Sequence, residues 1–263
     1  MEDILSMRNR VALITGSGTG IGRSAAKILA EKGASVAILS RTENELKSLE
    51  QEITALDRKC LIITADVSKP DEMEKACKLV NENFGKLDTV VANAGVNGVW
   101  APVDKLSPQD FQKTLEINLL GTFLTIHYAV PYLKKQGGSI VITSSINGNR
   151  KFNSAGASAY SASKAGQVAL TKVLAIELGP EKIRVNVVCT GSVTTNIEEN
   201  TKREDTEHLI PKVELPEGKI PLTGSKPGTA DQVAELILFL CSDASSHITG
   251  TEVFIDGGQS LLV

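Results

Sequence analysis

The chain has 263 residues, a length that suits one large α/β domain better than two. Hydrophobic residues make up 41% and charged residues 22% of the sequence, a profile that is typical of globular proteins and excludes a disordered or fibrous chain. The net charge of -3 argues against nucleic acid as a partner, because phosphate backbones require clustered Lys and Arg.

The sequence also argues against a membrane or a metal. It contains no apolar run of about 18 residues, and its first ten residues mix acidic, basic and apolar side chains. We therefore expect no membrane span, no signal peptide and a cytoplasmic location. The four cysteines form no CxxC motif and the three histidines lack metal-ligand spacing, so we expect free thiols and no metal site.

Short apolar or β-branched runs alternate with segments of helical spacing. The predicted strands cover residues 10–15, 35–39, 61–65, 89–92, 139–143, 184–189 and 252–255. The predicted helices cover residues 22–32, 43–56, 71–84, 108–135, 158–178 and 229–242. Because the strands are nearly continuous apolar runs, we expect a Rossmann-like, doubly wound parallel sheet of about seven strands with helices on both faces, in one domain over residues 1–263.

A long polar segment follows the sixth predicted strand. Residues 195–228 are rich in Glu, Lys, Pro and Thr and show little periodicity. A long insert in a compact domain is more often a lid or binding loop than filler, and this one follows a strand on the ligand side of such a sheet. We therefore predict a substrate loop, with a solvated excursion as the alternative.

The first predicted strand runs into a glycine-rich turn and then a helix. This order places backbone N–H groups against a pyrophosphate. Gly16 would allow the turn, Gly20 the approach of a phosphate and Gly22 the close packing of helix on strand. The segment predicts a dinucleotide site; a merely flexible loop is disfavoured by its position between strand and helix.

The end of the second predicted strand indicates which dinucleotide binds. A ribose 2'-hydroxyl favours an acidic acceptor here, whereas a 2'-phosphate favours arginine and repels a carboxylate. The strand ends in Ser40 and Arg41, and the first acidic residue, Glu43, follows them. Arg41 can bind a 2'-phosphate through two parallel N–H donors, so we predict NADP(H), with NAD(H) as the alternative. A solvated Arg41 without a ligand is the other interpretation.

Tyr160 and Lys164 are four residues apart in a predicted helix and therefore share one face. A phenol of pKa about 10 is a poor base at neutral pH, but a nearby cation stabilises the phenolate and lowers that pKa. Tyr160 can then exchange a proton with a substrate hydroxyl. The spacing alone is common in helices, whereas its combination with the upstream glycine loop is not.

With these residues in place, the sequence resembles the short-chain dehydrogenase/reductase family, in its single-domain, NADP-preferring form, over nearly the whole chain. The matching motifs, in chain order, are Thr15-Gly-x-x-x-Gly-Ile-Gly22, Asp66-Val67, Asn93-Ala-Gly95, Asn118 in Glu-Ile-Asn-Leu, Ser144-Ser145, Tyr160-x-x-x-Lys164 and Asp256-Gly-Gly258. Such an ordered set is highly specific.

The resemblance implies a role for each matched position. Tyr160 would be the acid/base, Lys164 would lower its pKa and hold the ribose hydroxyls, and Ser145 would hydrogen-bond the substrate oxygen. Asn118 would support a water in a proton relay. The cofactor-binding residues implied are Gly16, Ser17, Thr19, Gly20, Ile21, Ser40, Arg41, Asp66, Val67, Asn93, Ala94, Gly95, Tyr160, Lys164, Gly191, Val193 and Thr195.

Two departures from the family pattern stand out. Ser145 precedes Tyr160 by about two residues more than is usual, so we expect a bulge over residues 149–156 beside the substrate mouth, with Ser144 as an alternative to Ser145. The usual Pro-Gly after the sixth strand reads Thr190-Gly191, and the loss of a φ-fixing proline is expected to loosen that turn.

The leading functional hypothesis is an NADP(H)-dependent oxidoreductase that interconverts a secondary alcohol and a ketone or aldehyde by hydride transfer, with Tyr160 as acid/base. The alternatives are the same chemistry with NAD(H), for example a 3-oxoacyl reductase or a sugar or polyol dehydrogenase, and a non-catalytic NADP(H)-sensing protein. Trp100, Asn147, Phe152 and the 195–228 loop are expected to shape the pocket, with a subunit contact as the alternative for Trp100. Apolar patches on the helices predicted at 108–135 and 158–178 suggest helix pairing, and the resemblance implies a homotetramer or dimer.

Overall fold

A parallel sheet forms the centre of the protein, which is represented by a computed structural model describing residues 3–151, 154–207, 209 and 218–262. The seven strands are β1 (Val11–Thr15), β2 (Ser35–Ser40), β3 (Cys60–Thr64), β4 (Thr89–Ala92), β5 (Gly138–Ser145), β6 (Ile183–Thr190) and β7 (Glu252–Ile255). They lie in the order β3-β2-β1-β4-β5-β6-β7, and every neighbouring pair is parallel. The predicted doubly wound sheet is therefore confirmed.

Helices cover both faces of this sheet. They are α1 (Gly20–Glu31), α2 (Glu43–Thr54), α3 (Pro70–Phe84), α4 (Pro108–Leu115), α5 (Gly121–Leu133), α6 (Ser158–Leu178) and α7 (Ala230–Cys241). Side chains of α3, α5 and α6 form one apolar core with the sheet, and those of α1, α2 and α7 form the other. Within β1, Leu13 belongs to the first core and Ile14 to the second, because successive side chains on a strand point to opposite faces.

The order of the strands fixes where a ligand can bind. The chain moves outward from β1 to β2 and β3, and then returns to place β4 on the other side of β1. At this switch point the loops that follow β1 and β4 diverge and leave a crevice at the carboxyl ends of the strands. The glycine-rich turn follows β1 and therefore lies in that crevice.

The helix predicted over residues 108–135 contains an interruption. A π-helical turn, Glu116–Leu120, joins α4 to α5, so one residue more than an α-helix allows is accommodated there. Asn118 lies in this turn. Its side chain bonds Val96 and Ser163, and its carbonyl oxygen accepts bonds from Thr122 and Gln167. These contacts stabilise the bulge at a point where no glycine or proline marks it.

Two short parallel strand pairs lie outside the main sheet. Residues Gly98–Trp100 pair with Thr201–Arg203, and Val193–Thr194 pair with Gly228–Thr229. The predicted 195–228 segment is thus attached at its start and end, although residues 208 and 210–217 lie outside the described part of the chain. Within the described residues, no helix combines the length and apolar character needed to cross a membrane.

Candidate active site

A cavity of about 350 Å³ lies at the carboxyl ends of the strands, between the glycine loop and α6. Its lining includes these residues that the sequence analysis assigned to a cofactor: Gly16, Thr19, Gly20, Ile21, Ser40, Arg41, Asp66, Val67, Asn93, Ala94, Gly95, Tyr160, Lys164 and Thr195. Ser17, Gly191 and Val193 lie outside this lining. The structure thus brings the glycine loop and the Tyr160–Lys164 pair to one cavity, although they are far apart in sequence.

The glycine loop has the geometry of an anion cradle. Gly16 and Gly20 adopt positive φ angles of 65° and 54°, which favour glycine. A Cβ on Gly16 would lie 2.8 Å from the Cα of Ala94, so a side chain there would fill the crevice. Thr19, the N-cap of α1, makes no side-chain capping bond, which leaves the first N–H groups of the helix available to a phosphate. These residues fit the pyrophosphate of a dinucleotide.

Hydrogen bonds hold the cradle from behind. Ser17 is fully buried, and both its N–H and its hydroxyl bond the carbonyl oxygen of Leu39, at 3.1 and 3.2 Å. The Asn93 amide donates to the carbonyl oxygens of Thr15 and Gly16, at 3.1 and 3.3 Å. Ser17 and Asn93 therefore tie the loop to the ends of β2 and β4, which is a positioning role.

Arg41 and Asp66 face each other at the end of the cavity that is formed by β2 and β3. Burial raises the pKa of Asp66, but hydrogen bonds from Ser68 and the positive charge of Arg41 outweigh it and lower that pKa. The Ser40 hydroxyl accepts a bond from Thr42 N–H at 3.1 Å, which fixes the turn that carries the exposed Arg41. The Arg41 guanidinium is exposed to solvent and lines the cavity, so an anion bound there can contact it.

Sequence reasoning missed Glu45, which lines the same end of the cavity. The Glu45 carboxylate contacts the glycine loop, because a Cβ on Gly18 would lie only 2.2 Å from Oε2 of Glu45. In the sequence Glu45 resembles an ordinary acidic residue in the first turn of a helix, and α2 does begin at Glu43. No local pattern distinguishes it, because its position depends on how α2 packs against α1, β2 and β3.

Tyr160 and Lys164 lie on the buried face of α6. The ammonium is 5.7 Å from the centre of the Tyr160 ring and donates to the carbonyl oxygen of Thr143 at 2.9 Å. Burial lowers the pKa of Lys164 to about 8. Burial also raises the pKa of Tyr160; a hydrogen bond with Ser145 lowers it in part, and the negative charge of Glu198 adds to the rise.

The structure separates the roles of the two serines at the end of β5. The Ser144 hydroxyl donates to the carbonyl oxygen of Lys164 at 2.9 Å and so ties β5 to α6. The Ser145 hydroxyl faces the Tyr160 phenol instead, and it also caps the short turn that follows by accepting a bond from Asn147 N–H at 3.2 Å. Ser145 thus contacts the Tyr160 phenol whereas Ser144 lines the cavity, and the choice of Ser145 as the residue that contacts a substrate oxygen stays a prediction.

Asn118 is completely buried, and its hydrogen bonds connect the π turn to the loop after β4. Its amide accepts from Val96 N–H at 2.8 Å and donates to Val96 O and the Ser163 hydroxyl, at 2.9 and 3.0 Å. Its backbone carbonyl oxygen accepts hydrogen bonds from the Thr122 hydroxyl and the Gln167 amide, at 2.7 and 2.9 Å, and these two bonds occupy both lone pairs of that oxygen. The structure thus places Asn118 where it positions the loop after β4, and the relay water that the resemblance implies stays a prediction.

The turn after β6, which the missing proline is expected to loosen, is hydrogen-bonded to both neighbouring strands. The Thr190 hydroxyl donates to Ser144 O at 3.2 Å, and the Gly191 N–H donates to Ile255 O at 3.1 Å. A Cβ on Gly191 would lie 2.8 Å from the Cα of Asp256, which explains the glycine. These bonds link the turn to β5 and β7, and the looser turn expected without the proline stays a prediction.

Trp100 lies beside Tyr160. Its ring centre is 6.4 Å from that of Tyr160, which favours the pocket interpretation over a subunit contact. In the predicted 149–156 bulge, the Arg150 guanidinium packs on the Phe254 ring of β7, and Asn147 donates to the Ser154 hydroxyl at 3.1 Å. Phe152, predicted to shape the pocket, lies outside the described residues.

The cysteines take no part in this site. All four are free, and burial raises the pKa of Cys77 and of Cys241 to about 12, which keeps both as neutral thiols. Among the residues that the structure describes, no three His, Cys, Asp or Glu side chains are grouped to hold a metal ion.

The sheet order and the glycine cradle define a dinucleotide-binding α/β protein of the Rossmann class. A family profile described as "Enoyl-(Acyl carrier protein) reductase" matches residues 16–260. The chain is 38% identical to trans-4-hydroxycyclohexanecarboxylate dehydrogenase of Sinomonas cyclohexanicum, over 95% of this chain and 93% of that one. It is 35% identical to levodione reductase of Leifsonia aquatica, over 96% and 94% of the two chains.

Solved structures of dehydrogenases and reductases also superpose on this chain. A 3-ketoacyl-ACP reductase from Sinorhizobium meliloti 1021 superposes with a TM-score of 0.93 at 50% identity, covering 96% of this chain and all of that one. Carveol dehydrogenase from Mycobacterium avium, in complex with NAD, gives a TM-score of 0.85 at 30% identity, covering 97% and 98%. A short-chain dehydrogenase from Burkholderia cenocepacia J2315, in complex with NADP, superposes with a TM-score of 0.84 at 34% identity, covering 96% of this chain and 98% of that one. The chain belongs to the short-chain dehydrogenase/reductase family and is an oxidoreductase that acts on CH-OH or carbonyl groups.

Proposed function

We propose that the protein interconverts secondary alcohols and ketones or aldehydes with NADP(H), and that Tyr160 is its acid/base. One observation carries the proposal: the buried Tyr160 and Lys164 line the same cavity as the glycine cradle, and Ser145 is hydrogen-bonded to the Tyr160 phenol. A bound nicotinamide would supply or accept the hydride. In the reduction, the Tyr160 hydroxyl donates a proton to the substrate oxygen, while Ser145 hydrogen-bonds that oxygen.

Lys164 contributes positive charge. Its pKa of about 8 leaves it mainly protonated at neutral pH, so it stabilises the phenolate that forms when Tyr160 gives up its proton. The bond from its Nζ to the carbonyl oxygen of Thr143 fixes the ammonium in place. The lysine thereby opposes the effect of burial on the neighbouring phenol.

The preference for NADP(H) rests on Arg41, whose exposed guanidinium lines the end of the cavity next to Ser40. It suits a ribose 2'-phosphate, which it can bind through two N–H groups. Glu45 lies at the same end and would repel that phosphate, so the preference is the balance of the two charges. NAD(H) remains the alternative cofactor.

For substrate, we propose ketones and alcohols built on a six-membered ring, because two of the relatives are named for hydroxycyclohexanecarboxylate and levodione. Trp100 beside Tyr160 supplies a flat apolar wall suited to such a ring. A 3-oxoacyl thioester is the second candidate, since the 50% identical structure is titled a 3-ketoacyl-ACP reductase. The complete set of Ser145, Tyr160 and Lys164 argues against a non-catalytic, cofactor-sensing role.

We further propose one cytoplasmic dinucleotide-binding domain that assembles as a homotetramer or dimer. An apolar groove of about 720 Å³ runs along α4, the π turn and α6. Leu120, Phe123 and Val173 are exposed in it, which a second copy of the same helices would cover.

A direct screen tests the proposed function. Cyclohexanone, 4-oxocyclohexanecarboxylate and acetoacetyl-CoA are each assayed at 340 nm with NADPH and NADH in parallel. We expect reduction of the ring ketones, faster with NADPH. Preference for acetoacetyl-CoA would favour the second candidate, and no turnover of any carbonyl compound would favour the cofactor-sensing alternative.

A further inference from the structure

An aromatic ring, a cation and an anion form a stack beside the acid/base tyrosine. The Arg203 guanidinium carbon lies 4.9 Å from the centre of the Trp100 ring, which is itself next to Tyr160. Both terminal nitrogens of Arg203 donate to one oxygen, Oε2, of Glu198, each at 3.2 Å. The reaction at Tyr160 has no use for a second cation, so Arg203 calls for another explanation.

Backbone pairing places this cation on the ring. Trp100 and Arg203 are direct partners in the short parallel strand pair, so their side chains lie on the same face. The Glu204 N–H donates to the Trp100 carbonyl oxygen at 2.9 Å, and the indole N–H donates to the Asn97 carbonyl oxygen at 3.2 Å. The backbone and the indole of Trp100 are thus each held by a hydrogen bond, and the guanidinium that packs on the ring lies near the site.

We propose that Arg203 is a specificity-determining residue, which selects carbonyl and alcohol substrates that carry a carboxylate remote from the reacting carbon. This inference rests on the proposed function of the Tyr160 site. A guanidinium has five N–H donors, of which the bonds to Glu198 use two. The Arg203 side chain is 49% exposed, so the remaining donors are accessible to a ligand carboxylate.

Glu198 competes with such a ligand. It already places a carboxylate on the guanidinium, and its charge reaches the site, where it raises the pKa of Tyr160. An incoming carboxylate must share Arg203 with it and is repelled by it. Removing the glutamate charge should therefore favour anionic substrates, whereas removing the arginine charge should disfavour them.

The two substitutions are expected to change the preference for anionic substrates in opposite directions, and this distinguishes recognition of a substrate carboxylate from a structural role of the ion pair. Arg203→Gln and Glu198→Gln break the same ion pair, so any effect of the lost pair on the loop is common to both. The assay compares 4-oxocyclohexanecarboxylate with its methyl ester, which have the same ring and ketone but differ in charge. Taking the ratio of kcat/KM for acid over ester cancels any change in the reactivity of Tyr160.

We expect the acid-to-ester ratio to fall about tenfold in Arg203→Gln and to rise several-fold in Glu198→Gln, as is usual for a partly exposed charge pair. Lys202→Gln is the matched control, because it removes the same charge one residue earlier on the strand, where the side chain points to the other face. Its ratio should equal that of the native enzyme. Equal ratios in all four proteins, or a shift of the same sign in both ion-pair variants, would overturn the proposal.

A binding measurement decides the point without turnover. Cyclohexanecarboxylate, which has no carbonyl group to reduce, is titrated calorimetrically into native, Arg203→Gln and Lys202→Gln proteins that have been saturated with oxidised cofactor. We expect about tenfold weaker binding in Arg203→Gln alone. Equal binding in all three overturns the role of Arg203. If neither ketone is reduced but this binding depends on Arg203, the anion site stands and the proposed function fails.

Discussion

The Lys164 ammonium lies 5.7 Å from the centre of the Tyr160 ring on the buried face of α6. Burial acts on the two groups in opposite directions, lowering the pKa of the lysine to about 8 and raising that of the tyrosine. At neutral pH the phenol therefore keeps its proton, which is the form that can protonate a carbonyl oxygen. The chemistry of this pair can be tested from either residue.

Tyr160→Phe should remove carbonyl reduction while leaving cofactor binding within about twofold of native. The change deletes the hydroxyl that donates the proton, and such groups contribute about 10²- to 10⁴-fold in rate. Initial rates at 340 nm and fluorescence titration with NADPH measure the two effects separately. Tyr132→Phe, at a half-buried tyrosine of α5, is the control. Full activity in Tyr160→Phe would refute the acid/base role.

The buried Lys164 should make the unfolding free energy depend on pH. Its pKa is about 8 in the folded protein and near 10.5 when unfolded, so between these values the unfolded chain binds more protons and stability rises with pH. Relative to Lys164→Met, native stability should increase by about 2 kcal/mol from pH 7 to pH 9.5.

Urea denaturation of both proteins at each pH gives this difference. Comparing the two proteins cancels Cys60, Cys77 and Cys241, whose raised pKa values act in the opposite direction and are common to both. Exposed Lys75→Met is the control and should show no such change against native. A flat difference for Lys164→Met would mean that the buried amine keeps an ordinary pKa.

Charge at the β2 end of the cavity should control the choice of cofactor. Arg41→Ala should weaken NADPH binding about tenfold or more and NADH binding about twofold or less, because only NADPH has the phosphate that the guanidinium can bind. Glu45→Gln should shift the preference the other way by removing repulsion. Fluorescence titrations with both cofactors measure the ratio, and exposed Arg58→Ala is the control. Equal losses for the two cofactors in Arg41→Ala would refute NADP(H) selection.

A charge in the apolar groove should prevent association. Phe123→Asp places a carboxylate between helices that a second copy would cover, where an unpaired buried charge is strongly unfavourable. Sedimentation velocity should show a smaller species than native at the same concentration. Val103→Asp makes the same change at an exposed residue outside the groove lining and should leave the mass unchanged. An unaltered mass in Phe123→Asp would place any interface elsewhere.

Local patterns predicted most of the architecture. Each predicted strand overlaps one of β1 to β7, because strands covered on both faces must be apolar throughout, and that requirement is visible in sequence. The carboxyl end of β5 was harder to predict from the sequence, because the strand continues past residue 143 through two polar residues, Ser144 and Ser145. Those residues remain in the strand because β6 pairs with them, Ser144 with Cys189 and Ser145 with Thr190.

Features that depend on distant contacts escaped prediction. The π turn at Glu116–Leu120 adds a residue without any local marker, and the hydrogen bonds of Asn118 with Val96, Ser163 and Gln167 stabilise it. The pairing of Gly98–Trp100 with Thr201–Arg203 joins segments about a hundred residues apart. Glu45 reaches the cavity only because of how α2 is oriented. In each case the decisive contact is far away in the sequence.

The π turn has a consequence for turnover. Asn118 points inward to hold the loop beside Lys164, while the next two residues, Leu119 and Leu120, line the outer groove. A shift of this backbone on assembly at the groove would therefore also move the loop, and such linkage is reciprocal. We expect the specific activity to vary on dilution through the dissociation constant of the assembly.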